Sequence, residues 1–247
     1  MPNNKTLGIY DSGLGGYSVY QDLRVAYPKY NMVLYADQKN APYGNQSDEA
    51  INNLARAAMQ WFVNNDIENV LIACNTVSAV SLSILKKEYP SLNIYGIIDL
   101  TASQIHNQDK HIAIVSTQAT YQSHAYAKAL HENEVTELAL PELVKHIESL
   151  DDEQIIKNYL GNFKQPISTC DKIILGCTHY PLVAHLFKEV FEIETLDSRK
   201  PIRQFVGTLA VGENGYHCVY TTGDAEIMSQ QISDLFNIQE EVVHYGD

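Results

Sequence analysis

Two cysteines of this chain stand in matching local settings 103 residues apart. Cys74 follows Val70-Leu71-Ile72-Ala73 and precedes Asn75-Thr76; Cys177 follows Ile173-Ile174-Leu175-Gly176 and precedes Thr178-His179. Each thiol is therefore expected to close an apolar strand and open a helix. At a helix start the dipole and the unpaired N–H groups favour an anion, which lowers a thiol pKa and also cradles a carboxylate. One buried cysteine more often packs as a small hydrophobe, but recurrence at the same place favours chemistry. Cys170 and Cys218 have no such counterpart and read as packing residues. His179, two positions after Cys177, is placed to act as a base or as a cation beside a thiolate. His106, His131 and His217 stand in isolation and are assigned no role.

A third group of polar residues ends the first apolar run, where Asp11-Ser12-Gly13-Leu14-Gly15-Gly16 places an acid, a hydroxyl and glycines at a turn into a helix. Glycine there lets the backbone approach a ligand closely. A dinucleotide fingerprint starting at Gly13 fails because its last glycine position is Ser18. Asp11 can orient a thiol proton, hold a ligand ammonium, or simply cap the turn. The loop Asp37-Gln38-Lys39-Asn40-Ala41-Pro42-Tyr43-Gly44 is turn-rich and suited to lining a cleft.

Short apolar runs alternating with longer amphipathic stretches indicate βα units and a mostly parallel sheet. Strands are expected near residues 6–10, 31–36, 69–73, 93–98, 112–115, 135–140, 172–175 and 193–196. Helices are expected near 16–26, 47–64, 77–88, 119–131, 142–160 and 181–190, with Ser47 as an N-cap. Offsets of 105 from Tyr10 to Val115 and 104 from Ala36 to Leu140 match the spacing of the cysteines and suggest a duplicated lobe. The fold class expected is α/β, with two similar doubly wound parallel-sheet lobes about a pseudo-twofold and the site between them. Open α/β sheets bind ligands at the carboxyl ends of their strands, where these residues fall. Residues 1–97 and 207–247 are assigned to the first lobe and 98–206 to the second; 201–247 reads as helix, helix and terminal strand.

With 247 residues, 45% of them hydrophobic, the chain can bury a large core. Its formal charge of −13 argues against nucleic acid held on a basic patch and against an anionic membrane surface. Six acids and no Lys or Arg in residues 224–247 read as a solvated face. No apolar run suits an export signal or a membrane span, and the four cysteines lack zinc or disulfide-scaffold spacing, so a cytoplasmic protein with reduced thiols is expected.

Taken together, Asp11-Ser12-Gly13-Leu14-Gly15-Gly16, Pro42-Tyr43-Gly44, Ala73-Cys74-Asn75-Thr76 and Leu175-Gly176-Cys177-Thr178-His179-Tyr180-Pro181-Leu182 resemble the glutamate racemase branch of the cofactor-independent aspartate/glutamate racemases. The resemblance spans roughly residues 6–200. It implies that Cys74 and Cys177 are catalytic acid/base thiols with Asp11 and His179 as proton partners. It further implies substrate binding by Asp11, Ser12, Tyr43, Gly44, Asn75, Thr76, Thr178 and His179, and it makes Glu148 the counterpart of a further family acid. A small-molecule amino-acid substrate, no cofactor and no metal are implied, and members of the family often form homodimers. Three departures bear on substrate choice more than on reaction type: Leu140-Pro141 in place of Cys-Pro, Ala36-Asp37-Gln38-Lys39-Asn40 in place of Gly-Asp-Thr-Ala-Arg, and Ile98-Asp99-Leu100 where Glu-Pro is common.

Inverting a stereocentre requires a base on one face of Cα and an acid on the other, which one thiol from each lobe supplies directly. The four motifs contain no lysine to hold pyridoxal phosphate. Glutamate racemization for peptidoglycan synthesis is thus the leading expectation. The alternatives are a racemase or isomerase of aspartate or another small carboxylate, and a racemase-like fold that works by binding a partner.

Overall fold

A computed structural model describes residues 5–106 and 108–245. Met1 to Asn4 of the amino-terminal segment and Asp247 of the acidic carboxyl-terminal stretch lie outside the described residues.

Among the described residues ten strands form two sheets, and every pairing is parallel. They are β1 (Leu7–Asp11), β2 (Met32–Ala36), β3 (Asn69–Ile72), β4 (Asn93–Gly96), β5 (His111–Ser116), β6 (Glu134–Ala139), β7 (Lys172–Gly176), β8 (Glu194–Leu196), β9 (His217–Thr221) and β10 (Val242–His244). One sheet has the order β10-β9-β2-β1-β3-β4 and the other β6-β5-β7-β8. The second sheet thus repeats the order of the β2-β1-β3-β4 portion of the first, as a duplicated lobe requires. In both, the chain reverses direction across the sheet beside the first strand of the lobe, β1 or β5. Ligand crevices open at such switch points.

Alternation along the strands explains the two layers of helix on each sheet, because successive side chains point to opposite faces. In β1, Leu7 and Ile9 join the core beneath the helices Gly16–Ala26 and Ala225–Phe236, whereas Tyr10 packs on the opposite face with Met59 and Phe62 of the helix Asp48–Asn64. In β5, Ala113 and Val115 face the helices Glu153–Gly161 and Ala184–Phe191, while Ile112 and Ile114 face Ile98 and Tyr126.

Several long expected helices are two shorter ones. Residues 77–88 divide into Asn75–Val80 and Leu82–Glu88, and 119–131 into Gln118–Ser123 and Ala125–Ala129, with His124 left-handed at the break at φ 52°. Residues 142–160 divide into Leu143–Glu148 and Glu153–Gly161. The carboxyl-terminal region also differs, since His217–Thr221 is a strand paired with β2 rather than part of a helix–helix–strand run. Ile202 and Val206 of the helix Arg199–Val206 sit in the core of the first sheet. The acidic end is not simply a solvated face. Asp224 caps the helix Ala225–Phe236 by accepting the Ile227 N–H, and Glu240 accepts from Arg24 Nη1 and Tyr17 Oη, both at 2.6 Å.

Candidate active site

The first-lobe turn and the second-lobe cysteine motif touch. Gly15 is required there, because a methyl group at its Cα would overlap Thr178 Oγ1 and His179 Nδ1. Ser18 Oγ donates to Thr178 O at 2.9 Å, and Thr178 Oγ1 donates to Asp11 Oδ2 at 3.2 Å. The contact is reciprocated from the other side. Tyr126 Oη donates to Asn75 Oδ1 at 2.6 Å, and the hydroxyls of Thr76 and Thr117 are 2.9 Å apart. Each lobe therefore fixes the polar residues that follow the other lobe's cysteine.

Between these contacts lies a cavity of about 450 Å³. Its buried floor carries Cys74, Asn75, Thr76, Cys177, Thr178 and His179, with Ser12 partly exposed beside them; Pro42, Asn45, Glu142 and Lys145 form part of an exposed rim. Tyr43 and Gly44 also line it. Every expected site residue except Asp11 contributes to the lining. Asp11 is fully buried behind Ser12 and Gly13, with its carboxylate accepting from the Gly13 N–H at 3.0 Å and from Thr178. Gln38, Thr117, Val144, Lys145 and Ser149 line the cavity too and lie outside the matched motifs.

The two thiols have different surroundings. Cys74 occupies the N-cap position of the helix Asn75–Val80, and its Sγ lies 3.3 Å from Ser12 Oγ. The helix start was expected to lower its pKa, but the thiol is pushed up to about 12. Burial is the main cause and the Asp11 carboxylate adds to it; the hydrogen bonds with Ser12 and the backbone N–H groups offset only part. Cys74 is thus a neutral thiol at pH 7. Cys177 follows β7 directly, and a 3₁₀ turn, Tyr180–Val183, separates it from the helix Ala184–Phe191, so no α-helix starts at this thiol. Its neighbour is instead an imidazole, with Cys177 Sγ 3.8 Å from His179 Nδ1.

On its far side His179 Nε2 lies 2.8 Å from Glu148 Oε1. Burial disfavours the imidazolium, but the hydrogen bonds with Cys177 and Glu148 outweigh it and raise His179 to about 10. Glu148, matched only loosely by sequence, is thereby the third member of a chain Cys177–His179–Glu148. Asp11 is raised to about 6, chiefly by burial, which the charge of His179 and the Gly13 and Thr178 hydrogen bonds only partly offset. Asp11 acts on Cys74 through its charge rather than by contact, since Ser12 is the residue bonded to that sulfur.

The wall opposite is held by a second network. Tyr43 Oη donates to Asp37 Oδ2 and lies 3.0 Å from Tyr10 Oη; Asn40 Nδ2 and Thr222 Oγ1 also donate to the Asp37 carboxylate. The loop departing most from the matched motifs therefore still anchors Tyr43, and Thr222 from the end of β9 completes the anchor. Asn75 Nδ2 is buried without a protein partner on the cavity floor, so it is a donor free for a bound carboxylate. Cys170 packs in the core of the second lobe and Cys218 lies on β9; neither lines the cavity.

Two facing parallel-sheet lobes with one cysteine each on a shared cavity define a two-lobed α/β enzyme equipped for acid/base chemistry on a small carboxylate. The family model for Asp/Glu/Hydantoin racemases matches residues 18–200. The glutamate racemase of Lactobacillus acidophilus is 32% identical over 243 residues, covering 91% of this chain and 90% of that protein. A glutamate racemase isoform of Bacillus anthracis superposes with a TM-score of 0.91 at 26% identity, over 99% of this chain and 98% of that one. The aspartate racemase of Picrophilus torridus shares the fold at a TM-score of 0.57 and 20% identity, over 83% of this chain and 94% of that one. The chain belongs to the Asp/Glu/Hydantoin racemase family and is an amino-acid racemase.

Proposed function

We propose that this protein interconverts L- and D-glutamate by a two-thiol proton transfer at Cα that needs no cofactor, and that the D-glutamate serves peptidoglycan synthesis. The observation that carries this reading is the presence of both sulfurs on one cavity with unlike partners, Ser12 beside Cys74 and His179–Glu148 beside Cys177. In one direction a Cys177 thiolate, with the His179 imidazolium as counter-ion, takes the Cα proton, and the Cys74 thiol delivers its own proton to the opposite face. The reverse direction exchanges these roles. The substrate carboxylate must share the charge that develops on Cα, and Asn75 Nδ2, the Ser12 and Thr76 hydroxyls and nearby backbone N–H groups can donate to it. Asp11 acts as a positioning residue through Thr178 and Gly13. Both sulfurs must stay reduced for this chemistry, which suits the cytoplasm. Among the described residues no helix is long and apolar enough to cross a membrane.

Purified protein incubated with L-glutamate, D-glutamate or L-aspartate, without pyridoxal phosphate or added metal, is expected to racemize glutamate, with circular dichroism following the loss of signal. Turnover of aspartate alone would reassign the substrate, and activity abolished by a chelator and restored by zinc would contradict a metal-free mechanism. A second expectation concerns acid pH. Asp11 is ionised above about 6 and accepts the Thr178 hydroxyl in that state, so kcat/KM should fall as pH drops through about 6. Asp11→Asn should remove this acid limb and slow turnover about tenfold, as expected for a group supporting acid/base transfer rather than performing it. An unchanged limb in the variant would assign it to another group.

A further inference from the structure

Among the lining residues one basic side chain other than His179 stands out. Lys145 is exposed on the rim, on the short helix Leu143–Glu148 that also carries Glu148. Three positions apart on a helix, the two side chains share a face, so the helix that holds the His179 carboxylate partner also presents an ammonium to the mouth of the cavity. No carboxylate lies within ion-pairing distance of Lys145 among the described residues, unlike Lys157 with Glu189 or Arg24 with Glu240. Two carboxylates, Glu142 and Glu148, line the same cavity. Set against Glu142, Glu148 and the Cys177 thiolate of the proposed mechanism, a protonated His179 and Lys145 leave the lining one negative charge; without Lys145 an anionic substrate would meet two, in a protein of formal charge −13.

We propose that Lys145 positions the substrate by holding its distal carboxylate, and that it contributes to the choice of a dicarboxylic amino acid. This inference rests on the glutamate reading. Proton transfer between two thiols places Cα on the floor between them, where the buried donors Asn75 and Thr76 suit the α-carboxylate. The side chain then extends toward the rim, where Lys145 supplies the compensating cation. An ammonium on a flexible stem can follow that carboxylate without a fixed bidentate geometry.

The test compares wild type, Lys145→Met and Lys145→Arg. Loss of one charge-assisted contact should raise KM for glutamate about tenfold in the Met variant while kcat stays within about twofold, and the Arg variant should stay near wild type. Added salt should raise KM more in wild type than in Lys145→Met, because only the former holds the substrate through that charge. Calorimetric binding of glutarate, which has two carboxylates, should weaken in Lys145→Met; binding of butyrate, which has one, should not change. An unchanged KM, or equal weakening of glutarate and butyrate, would overturn the role of Lys145. A wild-type enzyme inert toward glutamate would overturn the functional reading instead, and the glutarate and butyrate measurements would still decide the role of Lys145.

Discussion

Cys74→Ala and Cys177→Ala are each expected to abolish racemization of glutamate, yet to leave different residual reactions in deuterated water. Inversion at Cα needs an acid and a base on opposite faces, and each variant keeps only one sulfur. A remaining thiol can still remove and return a proton on its own face, so each variant should slowly exchange the α-hydrogen of one enantiomer and spare the other. The preference should reverse between the two. On the resemblance to the family, Cys74 serves D-glutamate and Cys177 serves L-glutamate. The environments sharpen the expectation, because a buried Cys74 held up to about 12 beside Ser12 is poised as a proton donor. Cys177, with His179 at 3.8 Å, has beside it the counter-ion that the proposed mechanism requires. Mass spectrometry of the recovered amino acid reads the exchange, and chiral chromatography reads the inversion. Near-wild-type racemization by either single variant would refute the two-thiol mechanism.

The strands were legible because burial on both faces writes a parallel strand as a short, nearly unbroken apolar run. Ile173-Ile174-Leu175 is such a run, and every residue in it is buried. The helix breaks were less visible. His124 adopts a left-handed conformation that its residue type does not announce, and Ser81, fully buried, joins two short helices without a glycine or proline to mark the joint. The strand His217–Thr221 was hidden because its Cys218 and Tyr220 are only partly buried, which weakens the apolar signal. A β-branched and aromatic run ahead of Thr222-Gly223 was the signal available.

For the candidate site, sequence named residues that line one cavity but not most of their partners. The motifs adjacent to Cys74 and Cys177 could be read from spacing alone, since local chain geometry puts them at strand ends. What could not be read is that Thr178 bonds Asp11 across the lobes, 167 positions away in the chain, or that Thr222 secures Asp37 from a distance of 185. The first depends on how the lobes face each other and the second on the pairing of β9 with β2, and no local pattern encodes either. The sign of the Cys74 shift was missed for the same reason. The helix start was visible, whereas full burial beside a buried carboxylate emerges only from the tertiary fold.

His179→Asn is expected to lower kcat about a hundredfold or more, the range typical for loss of a positioned proton-transfer group, with a smaller change in KM. The argument starts from the cost of a buried charge. Burial alone would keep the imidazole neutral, so its rise to about 10 depends on Cys177 on one side and Glu148 on the other. A cation held this way can donate to Sγ throughout the neutral range, and it is lost only as pH climbs through about 10. Wild-type kcat/KM should therefore decline on the alkaline side in that region, and the decline should vanish in His179→Asn. Glu148→Gln separates structure from chemistry. It keeps a hydrogen-bonding side chain against Nε2 but removes the negative charge, so the alkaline limb should move to lower pH while turnover falls less than in His179→Asn. If His179→Asn instead melts several degrees lower and turns over normally, His179 serves the packing of the lobe interface, where Gly15 already crowds it. The assignment of the Cys177–His179–Glu148 chain to catalysis would then fail.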